Sequence, residues 1–287
     1  MLTALSRGIP DRLPVTTHHV MQYFLDTYMN SVTDQEFFDF FELDAWLWAT
    51  ICHQDAARGQ FFDPSDVTPG FLNGRRVVTD EWRISAEELE DDQFDTVRYR
   101  IDTPKGALNM VVQANAYTSW VAEFLVKEKR DVELIAAYAP HPNCDGEAIN
   151  RLAETFGERG LIRGVVLTFD IYGQPGCWQD ACCPVGTERL IYETFDDPAW
   201  VHELTQVVSE RKKTYLRSLK GVRFDLLELG GGDASSTVIS PKIFDEFVAP
   251  YDCQLIDLAH AMGQRVVYHT CGGMMPFLER IAGLNPD

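Results

Sequence analysis

The chain has 287 residues and a formal net charge of −19, from 44 acidic against 25 basic side chains. So large an acidic excess argues against nucleic acid or an anionic membrane as partner, and makes a highly anionic substrate unnatural without a local basic pocket. Seven cysteines at irregular spacing fit reduced thiols better than a disulfide framework, the first ten residues lack the apolar core of a signal peptide, and no apolar run is long enough to span a bilayer.

What remains is a cytoplasmic enzyme or binding protein, of a length that suits one α/β barrel as well as two small domains. In chain order, residues 11–19 read as a strand ending in His18 and His19, followed by a helix over 22–29. Thr33 or Asp34 is placed to cap a helix reaching residue 42, with Glu36 at the position that closes a capping box if Thr33 is the cap. Residues 45–50 read as a short, Trp-bearing strand.

Residues 70–116 break the pattern. Strands over 76–84 and 96–102, the turn Thr103-Pro104-Lys105-Gly106 and a returning strand over 107–114 predict an inserted antiparallel hairpin, with the acidic stretch 87–95 as a solvated loop. From Asp131 onward strands and helices alternate. A helix over 147–159 leads to a strand over 164–170. Helices over 187–220, broken near Asp197-Pro198, lead to a strand over 224–229 and the loop Gly230-Gly231-Gly232-Asp233. Ser240-Pro241 opens the next helix, with proline where its missing N–H costs nothing. Repeated strand–helix units without a Gly-x-Gly-x-x-Gly phosphate loop favour a (β/α)8 TIM-type barrel over a dinucleotide-binding sheet.

That last helix delivers Val266-Val267-Tyr268-His269-Thr270-Cys271-Gly272-Gly273, a β-branched and aromatic run closed by two glycines. His269 and Cys271, at i and i+2 on a strand, turn to one face about 6 to 7 Å apart. Imidazole and thiolate so placed can share one zinc ion, although a packed histidine beside a buried cysteine has the same spacing. In a barrel, His18, Asp170, Asp233, His269 and Cys271 all fall at the carboxyl ends of strands, where barrel enzymes place their chemistry. Taken singly, Asp170 and Asp233 also read as turn caps, His18 as a core histidine, and Cys177, Cys182 and Cys183 as loop thiols.

The segments Gly230-Gly231-Gly232-Asp233, Ile239-Ser240-Pro241 through Pro250-Tyr251, Gly263 and His269-Thr270-Cys271-Gly272 together resemble the uroporphyrinogen decarboxylase superfamily, and within it the cobalamin-dependent methyltransferase branch. Asp11-Arg12-Leu13-Pro14-Val15 and the region of Glu81-Trp82 add weaker likeness. The resemblance implies a single (β/α)8 barrel over residues 1–287, with the hairpin of 70–116 outside it and zinc held by His269 and Cys271 plus a cysteine from a later strand. After Cys271 there is one helical stretch, 274–284, and no further cysteine. The last strands and the third ligand are therefore expected to lie outside this chain or to come from a partner.

The implied reaction is methyl transfer between a corrinoid carried on a separate protein and a small-molecule thiol or pterin acceptor. On that reading Asp233 and Asp170 are the catalytic carboxylates, and His18 and Tyr172 meet the cobalamin. The alternatives are a uroporphyrinogen-type decarboxylase and a metal-free binding protein of the same fold. Decarboxylating a substrate with several acidic side chains calls for arginines that grip carboxylates in pairs, and the stretch His18 to Asp26 holds none.

Overall fold

The computed structural model describes residues 1–49, 61–62, 77–141, 143–166 and 172–287. Asp170 lies outside the described residues, as does the second half of the strand expected over 164–170.

The N-terminal part carries the short helices α1 (Leu2–Leu5), α2 (Gln22–Tyr28) and α3 (Asp34–Phe40). Thr33 caps α3 in a complete capping box: its hydroxyl accepts from the Glu36 backbone N–H, and the Glu36 carboxylate accepts from the Thr33 N–H at 2.8 Å. Such a cap contributes about 1 kcal/mol by satisfying two donors that the first turn leaves orphaned. The strand expected over residues 11–19 does not form. Pro14 has no N–H to offer a ladder, and the segment is held by side chains as much as by backbone: Val15 and Asp44 exchange hydrogen bonds of 2.7 Å, Arg12 pairs with Asp44 at 2.8 Å, and the Trp46 indole donates to the Thr17 carbonyl at 2.7 Å.

Strand β1 (Ala45–Trp48) precedes a short antiparallel pair, β2 (Phe61–Phe62) with β3 (Val77–Val78). An antiparallel sheet follows in simple meander order: β4 (Arg83–Leu89), β5 (Asp95–Thr103), β6 (Gly106–Ala114) and β7 (Ser119–Glu123). Two features differ from the sequence reading. The acidic stretch 87–95 is a loop only over 90–94; β4 runs on to Leu89, where Glu87 stands directly opposite Arg98, an attractive cross-strand pair at 3.4 Å. The sheet also runs past residue 116, to a fourth strand.

The rest of the chain alternates: α4 (Asp131–Tyr138), α5 (Gly146–Phe156), β8 (Gly160–Val165), α6 (Cys177–Val185), α7 (Thr187–Asp196), α8 (Pro198–Arg217), β9 (Leu226–Gly230), α9 (Pro241–Ile243), α10 (Ala249–Ala261), β10 (Val266–His269) and α11 (Leu278–Gly283). Cys177, Cys182 and Cys183 are buried helical residues of α6, not loop thiols. Asp197 breaks α7 from α8 by capping the Trp200 N–H, with Pro198 in the first turn of α8. Between α9 and α10 the helical path continues through a π-helical turn, Phe244–Val248, immediately before Pro250. A proline ring inside a regular helix collides with the carbonyl four residues earlier, and one wide turn removes that collision.

β1, β8, β9 and β10 form one parallel sheet in that order. Spatial order follows chain order with no reversal, unlike a doubly wound sheet, whose order reverses at a switch point. The register puts Trp46, Trp48, Leu161, Arg163, Leu226, Glu228, Val267 and His269 on one face. The other face carries Ile162, Leu227, Leu229, Val266 and Tyr268 and packs on helices. Leu227 and Leu229 are fully buried there, each contributing roughly 1.5 to 3 kcal/mol by leaving water.

Candidate active site

Two charged residues interrupt otherwise apolar strands on the first face. Arg163 comes from β8 and Glu228 from β9; each is over nine-tenths buried, and they form an ion pair. A buried charge is tolerated only when it is paired and hydrogen-bonded. The Arg163 guanidinium also donates to the His18 carbonyl at 3.0 Å and lies over the Trp46 and Trp48 rings, 5.4 and 4.7 Å from their centroids. The indole faces lower the cost of keeping that cation from water.

Around this pair lies a cavity of about 480 Å³, with Thr17, His18, Trp46, Arg163, Glu228 and His269 among its lining. His18 Nε2 stands 3.4 Å from Glu228 Oε2, and His269 Nδ1 stands 3.9 Å from Glu228 Oε1. The two imidazoles stack, with centroids 4.6 Å apart, and His19 meets His18 edge-on. Burial by itself would raise the Glu228 pKa. The hydrogen bond from His18 and the charge of Arg163 outweigh it and hold the carboxyl at about 2. Burial lowers His269, and it lowers His19 to about 4 with help from its cationic neighbours. Near neutral pH the cavity therefore presents the Glu228 carboxylate and an uncharged His269 imidazole, the protonation states in which these groups bind metal ions.

Two glycines shape the approach. Gly230 has φ +90°, and a Cβ there would stand 2.4 Å from the His269 carbonyl oxygen. Gly272 has φ +95°, and its Cβ would meet the Thr237 hydroxyl at 2.7 Å. Only glycine lets the ends of β9 and β10 and the loop after them come this close.

The helix face fixes the same strands from behind. Tyr268 donates to Asp252 on α10 at 2.6 Å, and the Cys177 N–H donates to the same carboxylate at 3.3 Å. Lys212 on α8 is fully buried; it pairs with Asp180 at 2.8 Å and donates to the carbonyls of Val166 and Gln174. These bonds hold the segments that follow β8 and the strand that carries His269.

Of the residues expected from the sequence to act, His18 and His269 are brought together. Asp233 is not among the cavity-lining residues. It sits in a 3-10 turn beyond β9, its pKa raised by burial and partly restored by a hydrogen bond with Thr187 at the start of α7. Tyr172 donates its hydroxyl to the Ser119 carbonyl of β7 at 2.9 Å. Cys271 is exposed, two residues past His269, with its sulfur turned toward Gly232. Glu228 and Arg163 are the additions. The sequence signal for each was a single charge inside an apolar strand run, and nothing local told a buried pair from two edge charges.

The family model described as Uroporphyrinogen decarboxylase (URO-D) matches residues 171–287. Over these residues the chain is similar to that family. That segment supplies Glu228, His269 and Cys271, so the resemblance read in the loop after β9 and in the His-x-Cys pair holds where it is most specific. A methyltransferase from Methanosarcina mazei is a structural neighbour at TM-score 0.52 and 14% identity, covering 99% of this chain and 72% of its own. At that identity the likeness is one of fold. No curated protein sequence matches significantly.

Proposed function

We propose that this cavity carries out metal-dependent methyl transfer between a protein-bound corrinoid and a small thiol or pterin acceptor. The observation that carries the proposal is the convergence, on one cavity, of Glu228 and His269 from the segment similar to the uroporphyrinogen decarboxylase family with His18 from the N-terminal part. The same reading takes residues 1–287 as one barrel-type unit, with the antiparallel sheet outside the strand cylinder.

The donor chemistry suits zinc. Glu228 is held ionised, the His269 imidazole is held uncharged, and their ligand atoms face each other across the cavity. Bound zinc would supply Lewis acidity that keeps an acceptor thiol as its thiolate at neutral pH. His269 is the ligand common to the His-x-Cys pair and to the cavity. Arg163, fixed by Glu228 and by the His18 carbonyl, holds the carboxylate in place on the cavity wall. Trp46 adds an apolar wall beside it.

Decarboxylation of an acidic porphyrinogen would require guanidinium groups free to grip carboxylates. Arg163 is the arginine among the described lining residues, and it is engaged by Glu228. Anaerobic incubation with methylcobalamin and a panel of small thiols and reduced pterins tests the reading. Loss of the cobalt-bound methyl group with formation of a thioether or methylated pterin is expected. Coproporphyrinogen formation from uroporphyrinogen, without methyl transfer, would reverse it.

A further inference from the structure

We infer that the cavity holds a divalent first-row metal ion through His18, Glu228 and His269, an all nitrogen and oxygen ligand set, and that Cys271 is not a ligand. The inference rests on the cavity being the metal site and goes further by naming the ligands. The ligand atoms of these three side chains all lie within 4.8 Å of one another, and among the described residues no other group of three such side chains does so. Donors bound about 2.0 to 2.1 Å from one tetrahedral ion stand roughly 3.4 Å apart. The Glu228 Oε1–His269 Nδ1 separation of 3.9 Å is close to that, and His18 Nε2 stands 3.4 Å from the other oxygen of the same carboxylate, Oε2.

The three come from different places in the chain. His18 belongs to the segment before α2, Glu228 to β9 and His269 to the end of β10. The protein pays a desolvation cost to keep Glu228 charged beneath two imidazoles, and a shared cation would offset it. Arg163 engages Oε2, which leaves Oε1, the oxygen nearer His269, for the ion. His18 supplies the exposed side of the site, its side chain 42% accessible against 8% for Glu228. That leaves the ion open to an incoming ligand from the solvent side. The Cys271 sulfur, by contrast, turns toward the Gly232 backbone. Two imidazoles and a carboxylate without thiolate accept zinc, cobalt, iron or manganese, whereas a thiolate would narrow the choice toward zinc.

Cobalt(II) and zinc(II) binding to the metal-stripped protein tests this without any turnover. One ion per chain is expected, with a cobalt spectrum lacking the intense near-ultraviolet band of a thiolate ligand. Cys271→Ser should leave the dissociation constant within about threefold, and His18→Ala should weaken it at least tenfold with near-ultraviolet circular dichroism unchanged. His18 is the informative variant because Glu228→Gln also disturbs Arg163 and can cost folding. A thiolate band with loss of binding in Cys271→Ser, or wild-type affinity in His18→Ala, would overturn the assignment, as would failure of the wild type to bind either ion. If the ion binds as described but no methyl group is transferred, the proposed reaction falls and the ligand set stands.

Discussion

The two faces of the parallel sheet carry two buried charge clusters that look alike in composition and differ in closure. On the helix face, Lys212 is fully buried with Asp180 and two backbone carbonyls, and Asp252 is closed over by Tyr268 and the Cys177 N–H. On the cavity face, Glu228 has Arg163 on one oxygen, while its other oxygen faces a half-buried histidine. A cluster whose partners are all protein is a fastening. A cluster whose carboxylate still has an oxygen turned toward an open imidazole is placed to receive something else.

The sharpest way to break this comparison is to open the closed cluster. Lys212→Met leaves Asp180 buried without its cation and should destabilise the fold by about 3 to 5 kcal/mol, read as a lower urea midpoint. If the loss is no larger than that of a surface substitution, the helix-face cluster is not a fastening.

Acid tests the cavity face next. The Glu228 carboxyl titrates at about 2 in the folded protein against an ordinary 4.5. Its contribution is therefore present above pH 4.5 and lost as pH falls toward 2, on the order of 3 kcal/mol. His19, lowered to about 4 from 6.5, binds its proton more readily unfolded, so it steepens the loss between those two values. Unfolding free energies followed from pH 7 to pH 3 should decline over this range, and Glu228→Gln should flatten the lower part of the curve.

The smallest expected effect separates the faces on one strand. Tyr268→Phe removes a single bond to a buried carboxylate and should cost about 1 to 3 kcal/mol. Because Tyr268 and His269 point to opposite sides of β10, metal affinity measured in the same variant should change far less than in His18→Ala. Equal losses of affinity would show that the helix face sets the position of His269 and is part of the site.

Much of the local structure was legible in order along the chain. Thr33 and Glu36 announced the capped α3, Asp197-Pro198 announced the break between α7 and α8, and Val266 to His269 announced strand β10, which stops at His269 and leaves Cys271 beyond it instead of running on to the glycines. The fourth antiparallel strand and helix α6 were not legible. Ser119–Glu123 gains its strand character from pairing with β6, and α6 holds cysteines, a proline and an aspartate whose place depends on Lys212.

By itself the sequence determined that His269 lies on a strand and that Gly230 and Gly272 stand where the chain leaves strands for loops, because periodicity and backbone sterics act between near neighbours. Tertiary structure alone decided that Glu228, Arg163 and His18 meet His269. Arg163 and Glu228 are 65 residues apart and Arg163 and His18 are 145 apart. Their meeting depends on strand order and register, which are set by the burial of Leu227, Leu229 and Val266 on the opposite face and leave no mark on the charged residues themselves.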